Sequence, residues 1–333
     1  MGVAGCGGVR YVTSDCGAIA GLVEFHNYSA SKEQALADAL TAGVDLDCGA
    51  TAEGWGEQAV AQGRVSPAAL DAALMHLLTV RMRLGMYDGD GMFGVEGEEA
   101  ADHAALALEA ALQGVVLLKN EGGTLPLREG RRWSIAVIGP LGNATGELLG
   151  SYAGEDTGAV NAIRPQADAG SHSAAAGLPC SVSAPLAALT ARAKTIYRPG
   201  CADVACQSDS LIEPAVAAAR SADVTVLLLG LNLGEENEGA DRRSLELPGL
   251  QSLLLRRVAR ASARPVILVL LCGGPVDVSE AAGWARVGAV IWMGYPGQAG
   301  GEALARVLFG DFNPSETKPE MVSHQSIPSH LLF

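Results

Sequence analysis

The sequence predicts an α/β fold with a mainly parallel sheet, and two observations support this prediction. Short apolar, β-branched runs alternate with helix-like segments over the last two thirds of the 333 residues, which is the pattern of strands joined by crossover helices. The longest apolar runs, residues 224–231 and 265–272, are less than half of the roughly 20 residues that a membrane span needs. They are therefore interpreted as buried strands.

The first third of the chain has the pattern of one βαβ unit. Residues 10–15 form a short β-prone run that ends on polar side chains, so Asp15 lies where a strand would stop. Residues 31–42 are predicted as a helix with Ser31 as its N-cap, and residues 43–48 as the following strand.

A stronger helix signal begins at Ser66. Ser66 is a suitable N-cap, Pro67 suits the first helical position, and Gly85 suits the position after the helix end. The segment from residue 87 to about residue 99 is rich in turn residues and predicts a domain boundary, before a helix over residues 102–113. The apolar face of the helix after Ser66 is predicted to comprise Leu70, Leu74, Leu77 and Leu78.

The rest of the chain predicts the sheet and its crossover helices. The helices are centred near Ala188, Ala217, Leu254 and Leu304. The strands are predicted at residues 135–139, 195–197, 224–229, 266–271 and 290–292.

Charge and motifs exclude several functional classes. The net charge of −14 leaves no basic field for nucleic acid or for an anionic membrane surface. The sequence has no Cys-x-x-Cys pair, which argues against zinc, and no P-loop or Gly-x-Ser-x-Gly motif. The turn that begins at Gly139 has the wrong spacing for a dinucleotide-binding loop.

Carboxylates remain as the candidates for chemistry. Asp15 lies at a strand end, and Glu235, Glu236 and Glu238 follow the most apolar strand, at an edge of the sheet where α/β proteins bind ligands. Glycoside hydrolysis needs two such groups, one ionised and one protonated. An Asp after Ser is also typical of a helix N-cap, and an acidic loop is often only a solvated surface.

Several motifs, in this order along the chain, resemble glycoside hydrolase family 3, and within it the plant-type β-xylosidase/α-L-arabinofuranosidase branch. The resemblance extends from residue 9 to about residue 315. The strings that carry it include Ser14-Asp15-Cys16, Ala42-Gly-Val-Asp-Leu-Asp-Cys48-Gly49, Leu77-Leu-Thr-Val-Arg81-Met-Arg-Leu-Gly-Met86, Gly114-Val-Val-Leu-Leu-Lys119-Asn120-Glu121, Asp241-Arg242, Leu247-Pro248-Gly249, Gly273-Gly-Pro275-Val-Asp277 and Gly294-Tyr-Pro-Gly-Gln-Ala-Gly-Gly301.

This resemblance implies a domain organisation. Residues 1–95 would be the C-terminal part of a (β/α)8 barrel that carries the nucleophile, and residues 96–113 a linker and helix. Residues 114–316 would be an α/β sandwich domain that carries the acid/base loop, and residues 317–333 a divergent tail. The strand that bears Asp15 would be the seventh of eight, so the chain is expected to be a fragment with an exposed apolar surface and impaired activity.

The resemblance also implies the catalytic roles. Asp15 would be the nucleophile and Glu236 the acid/base, with Glu238 as the second choice and Glu235 as the third. The reaction would remove xylosyl or arabinofuranosyl residues from xylo-oligosaccharide or arabinoxylan-type substrates with retention of configuration, without a cofactor. A β-glucosidase of the same family and a non-catalytic carbohydrate-binding remnant are the alternatives.

The cysteines and sequons complete the expectations. By the resemblance, Cys16 would pair with Cys48 and shape a small pocket for pentoses, which disfavours a β-glucosidase, and Cys201 would pair with Cys206. The sequons at Asn27 and Asn143, together with the seven cysteines, favour a secreted or cell-wall protein in its full-length form. The first residues lack the features of a signal peptide.

Overall fold

A computed structural model describes residues 10–88, 98–128, 131–151 and 182–314. The chain divides into two compact units, Met1–Glu96 and Gly97–Phe333. Each unit is described below by itself.

The second unit is built on a six-stranded sheet with the strand order β1-β6-β5-β4-β2-β3. Strand β1 pairs antiparallel with β6, and every other pairing in the sheet is parallel. The mainly parallel sheet that the sequence predicts is therefore confirmed. The strands are β1 (Val116–Asn120), β2 (Ser134–Ile138), β3 (Lys194–Arg198), β4 (Val224–Gly230), β5 (Val266–Leu271) and β6 (Val287–Trp292).

Both faces of this sheet are buried, which explains why its strands are continuous apolar runs instead of alternating ones. All seven residues of β4 and all six of β5 are buried. Along β4, Val226 and Leu228 belong to one core cluster, whereas Leu227 and Leu229 belong to the other. The period of two along a strand divides each run between two helical layers.

The helices of the second unit form these two layers. One layer contains α5 (Glu98–Gln113), α6 (Pro185–Thr190) and α10 (Gly300–Phe309), whose apolar residues join the first cluster. The other layer contains α7 (Ile212–Ser221), α8 (Gln251–Ala261) and α9 (Ser279–Gly283), which join the second cluster. A 3-10 turn, Gly146–Leu148, follows β2. The result is an α/β/α sandwich.

The first unit contains four helices among its described residues: α1 (Ala18–Glu24), α2 (Lys32–Thr41), α3 (Thr51–Ala61) and α4 (Pro67–Arg83). The predicted caps are confirmed, because the side chains of Ser31 and Ser66 accept hydrogen bonds from the backbone amides of Gln34 and Ala69. No helix in the described ranges is both long enough and apolar enough to cross a bilayer.

Two local predictions for the first unit are wrong. The predicted strands at residues 10–15 and 43–48 meet at a single parallel bridge, between Thr13 and Leu46. The carboxylate of Asp45 binds the backbone amide of Val12 at 2.9 Å, which occupies a donor that a longer strand ladder would use.

The apolar face of α4 is also rotated from its predicted direction. Ala73 and Leu77 are buried, whereas Leu74 is 50% exposed and Leu78 is 37% exposed. The helix turns by about 100° per residue. Around its axis, Ala73 and Leu77 therefore lie on one side of Leu70, and Leu74 and Leu78 lie on the other side. The helix buries the side that carries Ala73, where a small residue allows close packing.

Candidate active site

Asp15 lies in a short loop of the first unit, between the bridge at Thr13 and the start of α1. Its side chain is exposed, and its Oδ1 accepts a hydrogen bond from the backbone amide of Cys16 at 2.8 Å. Its backbone carbonyl accepts from the amide of Ala18 at 3.1 Å. These two contacts fix the carboxylate at the N-terminal end of α1.

A disulfide holds this loop against a second loop. Cys16 is bonded to Cys48, with a Cα–Cα distance of 4.3 Å, so the predicted pairing is confirmed. The amide of Gly17 donates to the carbonyl of Cys48 at 2.6 Å, and the amide of Cys48 donates to Oγ of Ser14 at 2.9 Å. The residues on both sides of Asp15 are therefore tied to the same segment.

The first unit also contains an apolar cavity of about 610 Å³. Leu36, Leu40, Val60 and Leu74 are among the residues that line it, together with Asp47, whose buried Oδ1 has no hydrogen-bond partner among the described residues. Asp15 does not line this cavity. The cavity and the loop of Asp15 are thus separate features of the unit.

The predicted acid/base residues lie in the loop that leaves the carboxyl end of β4. The strand ends at Gly230, where a β-carbon would lie 1.9 Å from the carbonyl oxygen of Leu271, so only glycine fits. The buried side chain of Gln251 bonds both the amide of Gly230, at 2.9 Å, and its carbonyl, at 3.0 Å. The start of the acidic loop is therefore fixed by the core.

The carboxylate of Glu236 is anchored by a neighbouring arginine. Its Oε2 accepts a hydrogen bond from Nε of Arg242 at 2.6 Å, and the two side chains are 29% and 10% exposed, respectively. A charge-assisted contact in such a half-buried place is stronger than an exposed one. The carboxylate is therefore held in one position and still reaches the surface.

Glu238 lies further out in the same loop. It is exposed, in a tight turn closed by backbone hydrogen bonds between Asn237 and Ala240. Glu235 is half-buried. Burial separates Glu236 from Glu238, but the assignment of the acid/base to Glu236 stays a prediction.

The comparisons with known proteins supply the family. Residues 115–326 match the model described as "Glycosyl hydrolase family 3 C-terminal domain". The chain belongs to glycoside hydrolase family 3. The loop after β4 lies within the matched residues. Glu236 and Glu238 are therefore both part of the family 3 domain.

Curated family 3 relatives are similar over most of this chain. "Probable beta-D-xylosidase 6" of Arabidopsis thaliana is 42% identical over 316 residues, which are 93% of this chain and 37% of the relative. "Beta-xylosidase/alpha-L-arabinofuranosidase 1" of Medicago sativa subsp. varia is 39% identical over 93% of this chain and 38% of its own length. The chain therefore spans less than two fifths of the length of these relatives.

Solved family 3 structures have the same fold. A GH3 exo-beta-xylosidase in complex with a xylobiose aziridine probe matches 90% of this chain and 36% of its own, with a TM-score of 0.76 and 31% identity. A β-glucosidase from Erythrobacter marinus matches 92% of this chain and 42% of its own, with a TM-score of 0.72 and 25% identity.

Three residues that follow β5 or β6 lie near the acidic loop after β4. Cys272 is buried, and burial raises the pKa of its thiol to about 11. Burial also raises the pKa of the Tyr295 hydroxyl. Gly274 lies against the carboxylate of Glu236. The sequence alone did not indicate the contacts of Arg242 and Gly274 with Glu236, although both residues lie in strings that carry the family resemblance.

Cys201 is bonded to Cys206, with a Cα–Cα distance of 5.0 Å, which confirms the second predicted pair. Cys6 and Cys180, whose fate the sequence left open, lie outside the described residues. Within those residues, no group of three or more His, Cys, Asp or Glu side chains is arranged to hold a metal ion.

Proposed function

We propose that this chain carries the two catalytic carboxyl groups of a retaining β-xylosidase of family 3, with Asp15 as nucleophile and Glu236 as acid/base. The observation that carries the proposal is the anchored, half-buried carboxylate of Glu236 at the carboxyl end of β4, within the domain that the family model matches. The names of the relatives support the xylosidase assignment.

The proposed reaction has two steps. In the first, a carboxylate oxygen of Asp15 attacks the anomeric carbon while Glu236 gives its proton to the departing glycosidic oxygen, so a glycosyl ester forms as the glycosidic bond breaks. In the second, Glu236 takes a proton from water, whose oxygen attacks the same carbon and releases Asp15. Two inversions return the original configuration.

The local contacts suit these roles. The hydrogen bond from the amide of Cys16 to Oδ1 of Asp15 orients the carboxylate and leaves Oδ2 as the attacking oxygen. Arg242 binds Oε2 of Glu236, so Oε1 is the oxygen for proton transfer. Positioning of this kind supplies much of the rate enhancement in enzymes that use side chains alone.

We propose xylo-oligosaccharides or arabinoxylan-type chains as the substrates. The purified 333-residue chain is assayed with 4-nitrophenyl β-D-xyloside, α-L-arabinofuranoside and β-D-glucoside, and the anomer first released is identified by proton NMR. We expect slower hydrolysis of the xyloside than a full-length relative gives, with the β-anomer of xylose appearing first. Release of the α-anomer would contradict the retaining mechanism.

Variants test the assigned residues. Asp15→Asn should lower kcat by at least about 10⁴-fold, because the nucleophile is lost. Asp88→Asn, which changes an exposed Asp of the same unit, is the control and should leave kcat unchanged. If Asp15→Asn retains full activity, Asp15 is not the nucleophile.

Azide distinguishes the two Glu candidates. In Glu236→Ala, azide should restore turnover of an activated xyloside and yield β-xylosyl azide, because the small anion needs no general base. Glu238→Ala should keep its activity and give no azide product. The reverse pattern would assign the acid/base to Glu238.

Two other functions are the alternatives. A β-glucosidase is favoured by the Erythrobacter marinus structure, and preferential hydrolysis of the glucoside would support it. A non-catalytic carbohydrate-binding role would be supported by calorimetric binding of xylotetraose without turnover, at an affinity that Asp15→Asn leaves unchanged.

A further inference from the structure

We propose that Arg242 and Gly274 are positioning residues that together hold the carboxylate of Glu236 in place. The inference rests on the proposed function, because it assigns the geometry on which proton transfer by Glu236 depends. It concerns residues of one loop cluster in the second unit: the acidic loop after β4 and the segment 273–275 after β5.

Arg242 joins these two segments with all three of its guanidinium nitrogens. Nε donates to Oε2 of Glu236 at 2.6 Å, Nη1 to the carbonyl of Ser244 at 2.9 Å, and Nη2 to the carbonyl of Pro275 at 2.6 Å. The guanidinium is planar, so the two carbonyls fix the direction in which Nε points. A lysine could keep the charge but could not make this set of bonds.

Gly274 lies directly against this carboxylate. A β-carbon at this position would lie 2.3 Å from Oε1 of Glu236 and 2.9 Å from Oε2. The backbone of Gly274 is outside the left-handed region, so an alanine is tolerated by the main chain. The missing side chain is therefore needed for the space that Oε1 occupies, and not for the conformation of the turn.

The preceding glycine makes a similar space for a different group. A β-carbon at Gly273 would lie 2.7 Å from the ring of Tyr295. Two residues beyond this segment, the backbone amide of Asp277 donates to the carbonyl of Leu245 at 2.6 Å. This bond connects the chain after β5 to the chain that follows the acidic loop. The segment after β5 is thus held in place and packs against the carboxylate of Glu236.

Gly274→Ala should displace the carboxylate of Glu236 by a predictable distance. Ordinary contact begins at 3.4 Å, so Oε1 must move by about 1 Å, and a misplacement of that size can cost on the order of 10²-fold in rate. The atom in conflict is the end of a flexible side chain, so the fold should tolerate the change. Arg242→Met removes the hydrogen bond from Nε of Arg242 to Oε2 of Glu236.

Leaving-group dependence separates positioning from a general structural role. Phenyl β-D-xyloside needs proton donation to its leaving oxygen, whereas 2,4-dinitrophenyl β-D-xyloside does not. We expect Gly274→Ala and Arg242→Met each to lower kcat/KM about 10²-fold for the phenyl substrate and less than about threefold for the dinitrophenyl substrate. Arg242→Lys should fall between wild type and Arg242→Met on the phenyl substrate.

Gly283→Ala is the matched control, because a β-carbon there has no atom within 4 Å; both rates should stay unchanged. Equal losses on the two substrates, or no loss on either, would overturn the positioning role.

A second readout does not depend on turnover. The side-chain carboxyl 13C resonance of Glu236, assigned by its disappearance in Glu236→Gln, should move in Gly274→Ala and Arg242→Met and stay in place in Gly283→Ala. A resonance that does not move in the first two variants would overturn the inference. If wild type hydrolyses neither xyloside, the proposed function fails, and the 13C result alone decides whether the two residues position Glu236.

Discussion

At the scale of single residues, Gln251 determines where the acidic loop begins. Its fully buried amide bonds the amide and carbonyl of Gly230 and the carbonyl of Val204, the last at 2.6 Å. Three backbone groups in the interior thus depend on one side chain. An unsatisfied buried group costs roughly 1–3 kcal/mol, so this side chain contributes substantially to the stability of the second unit.

Gln251→Leu should therefore lower the free energy of unfolding by about 3 kcal/mol or more, because leucine fills the space but satisfies none of the three groups. Urea unfolding followed by tryptophan fluorescence measures the change. Gln207→Leu is the control, because Gln207 is exposed and makes one bond, to the carbonyl of Ala205. Equal midpoints for the Gln251 variant and wild type would contradict this account.

Sequence reasoning reached the carboxylates but not the residues that hold them. The polar end of a β-prone run and the acidic run after β4 indicated Asp15 and three Glu residues as candidates, and only the family resemblance selected Glu236 among the three. The contact of Arg242 with Pro275, and the fit of Gly274 against Glu236, arise only when β4 and β5 lie side by side. Such contacts depend on tertiary structure, for which one sequence gives no spacing rule.

At the scale of elements, the apolar runs predicted the parallel strands because burial on both faces leaves little room for polar residues. Strand β1 was not predicted, since its residues are mostly half-buried and it lies at the antiparallel edge. Helix α3 was also missed, because Gly54 and Gly56 lower its helix propensity. Both elements depend on tertiary packing more than on local preference.

The Cys16–Cys48 disulfide should stabilise the first unit more than Cys201–Cys206 stabilises the second. The residue separations are 32 and 5, and loop-closure entropy predicts about 3–4 kcal/mol for the former and about 2 kcal/mol for the latter. The paired variants Cys16→Ser/Cys48→Ser and Cys201→Ser/Cys206→Ser test this difference.

Hydrogen exchange measures the first effect locally. Peptides that contain the amides of Ser14 and Leu46, which bond across the two loops, should exchange roughly 10²-fold faster in Cys16→Ser/Cys48→Ser. They should be unchanged in the other double variant. Unaltered protection in the first variant would show that the backbone contacts hold the loop of Asp15 without the disulfide.

At the scale of the whole molecule, ionisable groups predict how stability varies with pH. Hydrogen bonds from Ser29, Ser134 and Arg192 lower the pKa values of Asp38, Asp223 and Asp311, respectively. A carboxyl group whose folded pKa is depressed stabilises the fold above its unfolded pKa, and this contribution is lost as pH falls through the folded pKa. Stability should therefore decrease below about pH 4.

At alkaline pH the stability should also fall, because there the folded pKa values are raised instead of lowered. The pKa of the Cys272 thiol is about 11 when folded, against 9.0 ordinarily, so its contribution is full below pH 9 and is lost as pH rises toward 11. Burial also raises the pKa of the Tyr197 hydroxyl, which adds to the loss of stability at high pH. Urea midpoints should be nearly constant from about pH 5 to pH 8 and fall on both sides. A steady decline within that plateau would contradict the assignment.

The two edges of the sheet have a consequence for self-association. An edge strand offers unpaired amides and carbonyls that can recruit a strand from another chain. At one edge, β1 has an irregularity in register between Leu117 and Lys119; at the other, β3 begins with exposed Lys194 and ends with exposed Arg198. Irregular register and charged strand ends both discourage the addition of another strand. The two edge strands should therefore oppose fibril-like association, while the apolar central strands are buried.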